Sequence, residues 1–365
     1  MTDVTIDPLL ARLDAYLDSE GLEAVWFARP NSFAWLTGGG NNIVDRAGDI
    51  GIAAVGYDGD ERIVVSNNIE GQRLIDEEVG DVAVETVQWY EDGVADAILE
   101  HTPTPAAADF DVDGLGHVDA RELRQPLTDD QIDQYRSLAA DATAAFESVL
   151  READSSDTER EVTARIHGAL EDEGIWAPVA LVGGGERAPA YRHYTSTDTE
   201  LGDYALASIT AMRDGLFLST SRTIAFDAPE WLESRTEDAA RVEASAVAAT
   251  QRVGRDGGTA GDVFAAIQDA YAELGWEGEW QNHHQGGAAG FAGREWIATP
   301  THDAPVHLPM AYSWNPTVQG AKSEDTQLVT DDGVETLSVT GDWPTIDVSA
   351  VDDDLTLERH DVLQL

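Results

Sequence analysis

From residue 127 onward the chain states one pattern twice, and that repeat restricts the fold more than any single motif does. Thr128-Asp-Asp-Gln131 and Thr158-Glu-Arg-Glu161 each set a hydroxyl three residues ahead of a Gln or Glu, the capping box that satisfies orphan amides at a helix start. The helices that follow run to about Leu150 and to Glu173, the second stopped by Gly174, and a strand-rich stretch covers about Val179 to Phe226. From Glu230 a second pair of helices follows, with Thr259 and Asp262 near the start of the later one and Gly275 closing it. Strands return from about Gln281 to Thr340. Two helices and then a sheet, repeated, predicts a pseudo-two-fold domain whose site lies between its halves. Periodicity alone leaves two independent α+β units open.

Residues 1 to about 124 read differently, as an alternating α/β unit. Leu9, Leu10, Leu13, Tyr16 and Leu17 have helical spacing over Leu9 to Glu20, Gly21 is a natural stop, and Ala24 to Phe27 reads as a strand. Ile52 to Val55 and Arg62 to Ser66 read as a hairpin across Asp58-Gly59, with helices near Ile69 to Glu78 and Glu91 to His101. The Pro and Ala run from Thr102 to Ala108 reads as loop. The character changes after Arg121 to Pro126.

Composition limits the partners. With 70 Asp and Glu against 22 Lys and Arg, the formal charge is −48, which repels DNA, RNA and anionic lipid and suits a solvated acidic coat at high ionic strength. The expectation is a salt-adapted, cytoplasmic, halophilic-type protein with no nucleic-acid or membrane partner. Zero Cys excludes disulfides, thiolate catalysis and Cys-ligated metal. Met1-Thr2-Asp3-Val4 opens no signal peptide, and no run of about 18 apolar residues occurs.

Tyr204 to Phe226 reads as a hairpin turning at Arg213-Asp214-Gly215 with Arg222-Thr223 on its outgoing strand. It resembles the hairpin of the creatinase, prolidase and methionine aminopeptidase superfamily, the "pita-bread" fold, written D-x-G and then s-D-i-T-R-T. Three further segments agree in order. Ala190-Tyr-Arg-His193-Tyr-Thr-Ser-Thr resembles the segment with the superfamily's substrate-facing His. Asn282-His-His-Gln-Gly-Gly-Ala-Ala-Gly290 followed by Gly293-Arg294-Glu295 resembles its G-H-G-x-G stretch, and Asn315-Pro316 with Ser323-Glu324-Asp325-Thr326 resembles its E-P and E-D-T elements. Trp35-Leu36-Thr37 before Gly38 to Gly40 resembles the "Y-L-T-G" loop of its N-terminal domain, which often reaches a partner subunit's site. The resemblance covers nearly the whole chain. It implies an α+β protein of two domains, an N-terminal creatinase-type α/β domain (1–124) and a C-terminal pseudo-two-fold pita-bread domain (127–365), assembled as a homodimer.

The departures fall together. Where the resemblance implies five ligands to two metal ions, this chain has Ser208, Ser219, Gly287, Asn315 and Glu324. A two-residue turn at Arg213-Asp214 would set Ser208 directly opposite Ser219. Facing carboxylates need a cation between them, whereas facing hydroxyls do not. Ser, Ser and Asn offer no anionic oxygen and Gly offers no ligand, so the expectation is no dinuclear metal and no cofactor. His283 and His284 invite a metal reading, but neighbours on a strand point to opposite faces, so His284 is assigned to the pocket and His283 to packing. Gly286, Gly287 and Gly290 lack the G-x-G-x-x-G spacing of a phosphate loop, and Ser221 has no G-x-S-x-G elbow.

What the resemblance implies for the rest is a metal-independent hydrolase of creatinase type, cleaving a C–N bond in a small zwitterionic amidino or amino-acid-like substrate. His193 is the expected base and then acid. Arg294 is expected to hold the substrate's carboxylate and Glu324 its cationic part, while Ser208, Ser219 and Asn315 orient water or substrate. Two rivals stand beside it: a non-catalytic peptide- or metabolite-binding protein on a retired peptidase scaffold, as in the superfamily's histone-chaperone relatives, and an Xaa-Pro-type aminopeptidase with an atypical metal site.

Overall fold

The computed structural model describes residues 5–365, so the opening Met1–Val4 lies outside the described residues. The chain divides into two compact units, one running to Gln131 and including Asp214–Leu216, the other formed by Ile132–Arg213 and Phe217–Leu365.

The first unit is a mixed sheet flanked by helices. Its strands are β1 (Ala24–Phe27), β2 (Ala53–Tyr57), β3 (Arg62–Asn67), β4 (Ala83–Val87), β5 (Ala106–Ala108) and β6 (Gly116–His117), in the order β4-β3-β2-β1-β5-β6. The hairpin β2–β3 is antiparallel, while β5 runs parallel to β1. The four apolar residues of β1 are all buried. Against the sheet packs a core that includes Trp26, Val65, Ile98 and Phe110. The helix Asp7–Glu20 buries Leu9, Leu13 and Leu17, four residues apart on one face, and ends where Gly21 turns left-handed at φ 66°. The Pro and Ala run is not all loop. Ala106–Ala108 forms β5, fully buried beside β1; alanine carries little strand propensity, and burial at an inner position overrides that weak local signal.

The second unit carries the repeat. The helices Asp129–Arg151 and Glu159–Asp172 precede a sheet of β7 (Trp176–Gly184), β8 (Tyr204–Arg213), β9 (Leu216–Ala225) and the last strand, β18 (Leu363–Gln364), in the order β18-β9-β8-β7. The helices Leu232–Asp256 and Ala260–Glu273 then precede β10 (Gly286–Ala289), β11 (Met310–Trp314), β14 (Asp325–Val329) and β15 (Val334–Thr336), in the order β10-β11-β14-β15. The short pair β12 (Thr317–Val318) and β13 (Ala321–Lys322) and the hairpin β16 (Thr345–Ser349) and β17 (Thr356–His360) complete the unit with β18 (Leu363–Gln364). Both expected capping boxes form, and the structure adds a third at Thr259. Thr128 N–H donates to Gln131 Oε1 at 3.0 Å, and the Thr158/Glu161 and Thr259/Asp262 pairs close reciprocally. The helix Leu232–Asp256 is buried along most of its length and packs on β11 to β14. No helix among the described residues is long and apolar enough to cross a membrane.

Candidate functional site

The site is built where the β8–β9 hairpin meets the segment before β14. The hairpin turns on Asp214 (φ 53°) and Gly215 (φ 80°), two left-handed residues in succession, as a two-residue type I′ turn requires. That moves the register by two from the expected one. Ser208 is not opposite Ser219: its Oγ lies 2.6 Å from Ser221 Oγ, and Ser219 Oγ lies 3.0 Å from Thr210 Oγ1. The turn needs φ > 0 at both central positions, so it falls on Asp214-Gly215 and not on Arg213-Asp214. Ser208 and Ser219 are therefore diagonal neighbours, both buried.

Glu324 is buried between the two serines' partners. Its Oε2 accepts from Ser221 Oγ at 2.7 Å and lies 2.7 Å from Lys322 Nζ. Lys322 Nζ also donates to Ser208 Oγ at 3.2 Å, so one ring of hydrogen bonds runs from Lys322 through Ser208 and Ser221 to Glu324 and back. On the other oxygen, Arg294 Nη2 donates to Oε1 at 2.9 Å, while its Nη1 reaches Ser219 Oγ at 3.0 Å and Gly293 O at 2.6 Å. Burial alone would raise the Glu324 carboxyl, but Lys322 and Arg294 outweigh it and hold it at about 2. Tyr194, also buried, sets its hydroxyl 3.4 Å from Ser208 Oγ.

Beside this ring stand three imidazoles. His193 is exposed and its Nε2 lies 3.3 Å from Nε2 of buried His283. His284 stacks on His283, with ring centroids 4.3 Å apart and planes at 28°. The sequence reading of this pair is corrected here. His283 and His284 precede β10, in a bend after a short 3-10 turn (Glu279–Asn282), so strand alternation does not apply and both rings face His193. Burial first, and then the charge of Lys322, lowers His283 to about 2; burial and then Arg294 lower His284 to about 4. Both rings are uncharged at neutral pH.

The remaining positions are simply placed. Asn315 is buried at the end of β11; its N–H donates to Gln285 O at 3.0 Å and its Oδ1 has no hydrogen-bond partner. At Gly287 a Cβ would lie 2.0 Å from Trp296 O, so the backbone of Trp296 fills the space a side chain would need. Sequence reasoning assigned no role to Lys322, Ser221 or Tyr194. Lys322 was within reach of it, since residues two apart on an extended chain share a face, and Lys322 stands two before Glu324. Ser221 follows from the register once Gly215 is recognised as a turn residue.

The donor set does not fit the two hard divalent ions that the resemblance implies. Such ions need several anionic oxygens, and here one carboxylate, already neutralised by Lys322 and Arg294, stands with two hydroxyls and an amide. The one carboxylate left among the implied ligands instead meets two side-chain cations, one on each oxygen.

Comparison with known proteins places this geometry. No curated protein matches the chain. Among solved structures it is similar to the prolidase from Pyrococcus furiosus, at 19% identity over 90% of this chain and 99% of that chain with a TM-score of 0.72. It is also similar to the Xaa-Pro dipeptidase from Bacillus anthracis, at 16% identity over 95% of this chain and 100% of that chain with a TM-score of 0.72. A third is the N-terminal domain of the FACT complex subunit SPT16 from Cicer arietinum, at 12% identity over 93% and 98% of the two chains with a TM-score of 0.64. At these identities the likeness establishes the two-domain pita-bread fold and no more. The model of metallopeptidase family M24 matches residues 132–331, over half of the chain, and with the prolidase-like fold it supports a peptidase-type hydrolase. By that match the chain belongs to metallopeptidase family M24.

Proposed function

We propose that this chain hydrolyses a C–N bond in a small zwitterionic amidino or amino-acid-like compound without a dinuclear metal centre, using His193 as its acid–base group. One observation carries the reading: Lys322 and Arg294 hold Glu324 through contacts of 2.7 and 2.9 Å, so the carboxylate's charge is met by side chains. Two cations surround one carboxylate, and the surplus suits a ligand with an anionic end. A zwitterion also has the charges needed to open an ion pair. Its carboxylate takes the Arg294 guanidinium, its cationic end takes the Glu324 oxygen released, and no charge is left buried and unpaired. His193 is exposed beside two uncharged imidazoles and is free to take a proton from water and return it to the leaving nitrogen. Ser208, Ser219 and Asn315 supply neutral hydrogen bonds around the ligand.

A second reading, a binding protein without turnover, is favoured by the closed ring of Lys322, Ser208, Ser221 and Glu324, which is satisfied without any ligand. Amidines, cyclic amidines and Xaa-Pro dipeptides, screened by thermal shift and then for product with excess chelator in concentrated salt, separate the two. Turnover that survives the chelator and falls at least a hundredfold in His193→Ala supports the hydrolase; stabilisation without product supports the binder; turnover abolished by chelation overturns the metal-independent reading. We also propose a homodimer, to be checked by light scattering.

A further inference from the structure

We infer that His193, His283 and His284 form a binding site for a single borderline transition-metal ion such as Zn²⁺ or Cu²⁺, separate from the Ser–Glu positions discussed above. One nitrogen of each ring lies within 4.8 Å of those of the other two. The His193 and His283 Nε2 atoms are 3.3 Å apart, and two nitrogens bound at 2.0–2.1 Å to a tetrahedral zinc ion are separated by about 3.3 Å. A nitrogen of His284 lies within 4.8 Å of both, so three imidazoles converge and a tetrahedral ion would keep its fourth position for water or substrate. His283 Nδ1 and His284 Nδ1 are buried without a hydrogen-bond partner, so each of those rings has a nitrogen free for a proton or an ion. Exposed His193 gives the ion a way in.

The chemistry selects the ion. Neutral imidazole suits Zn²⁺, Cu²⁺ and Ni²⁺ and offers little to Mg²⁺ or Mn²⁺. Lys322 and Arg294 oppose a cation here and Glu324 favours it. The ion takes the lone pair that His193 needs as a base. In that consequence alone the inference rests on the proposed function: Zn²⁺ is then an inhibitor of turnover.

Untagged protein, stripped with chelator and kept in concentrated salt to screen its acidic surface, is titrated with Cu²⁺ and followed by electron paramagnetic resonance. The expected result is one ion per chain with splitting from several nitrogens, no comparable Mn²⁺ binding, and at least tenfold weaker Cu²⁺ binding in both His193→Gln and His284→Gln. Surface-exposed His193 makes the first variant safe for folding, which circular dichroism confirms. A signal from oxygen ligands only, or affinity unchanged in both variants, overturns the site. Binding is read without substrate, whereas the functional reading is judged by turnover in chelator, so either can fail alone.

Discussion

Glu324 and Asp325 are neighbours in sequence, both buried and both held by cations, and the two networks they anchor differ in charge balance. Asp325 Oδ1 accepts from Arg222, Thr220 and Ser338 at 2.7–2.9 Å, and Oδ2 faces Arg359 and His360. Arg359 also binds Glu243 through both carboxylate oxygens, and Arg222 binds Glu147 at 2.8 Å. That network sets three buried carboxylates against two buried guanidinium groups and the half-buried Arg151, which reaches Glu147 at 3.5 Å, and burial pushes the Glu243 carboxyl up against the pull of Arg359. The Glu324 network sets two cations against one carboxylate. Orphan atoms do not tell the networks apart, since each leaves a guanidinium nitrogen unpartnered, Arg294 Nε and Arg359 Nη1. Charge balance and access do. Apart from Arg151, the Asp325 side is sealed, with side chains 0–2% exposed, while the Glu324 side stands beside exposed His193. We read the first as what holds the sheets to the helix Leu232–Asp256 and the second as what a ligand meets.

Arg359→Met gives the largest effect. It strands Glu243 in the interior and leaves Asp325 with Arg222 as its guanidinium partner, and removing one partner of a buried ion pair costs about 3–5 kcal/mol. Denaturant unfolding in concentrated salt measures it. A loss under about 1 kcal/mol would mean that this network is not what holds the core.

Lys322→Met comes next. It leaves Arg294 as the one cation on Glu324, so the expected loss at neutral pH is about 2 kcal/mol, the scale of one hydrogen bond to a charged group. The pH dependence identifies the cause. Glu324 is held at about 2, below its ordinary 4.5, so the unfolded chain binds its proton first as pH falls, and the ion pair's stability is present above 4.5 and lost on the way down through about 2. The stability gap between the two proteins is therefore widest above pH 4.5 and closes towards pH 2. A gap that does not change with pH would assign Lys322 to packing.

Most of the fold was legible in the sequence, and the site was legible to the level of its residues but not its contacts. Capping boxes announce helix starts because their chemistry is local, so Thr128 and Thr158 were readable one at a time. The β5 strand was not, since alanines become a strand only through the neighbours that bury them. Within the site, Ser208, Ser219 and Glu324 came from the resemblance, but the error of two residues in register hid Ser221, and the assumption of a strand at His283 turned two rings apart that the bend brings together. Of the two cations on Glu324, Lys322 lies two residues away and was within reach of a local pattern, whereas Arg294 arrives from a separate segment, and no local pattern encodes that.

Ser219→Asp is the smallest change and the sharpest test of the contrast in charge balance. It returns an anion to a position where the resemblance implies a metal ligand, and it sits beside Arg294 Nη1, now 3.0 Å from the Ser219 hydroxyl. The new carboxylate should pair with that guanidinium, so that two cations face two anions and the surplus disappears. Stability should move by no more than about 1 kcal/mol, since the lost Thr210 bond and the new ion pair act in opposite directions. Mn²⁺ binding should not appear, because Lys322 still occupies Glu324 Oε2 and Trp296 still fills the space at Gly287. Equilibrium dialysis against Mn²⁺ decides it. Tight binding of two Mn²⁺ ions by this single variant would mean that the side-chain cations yield to metal, and the difference in charge balance between the two networks would lose its functional meaning.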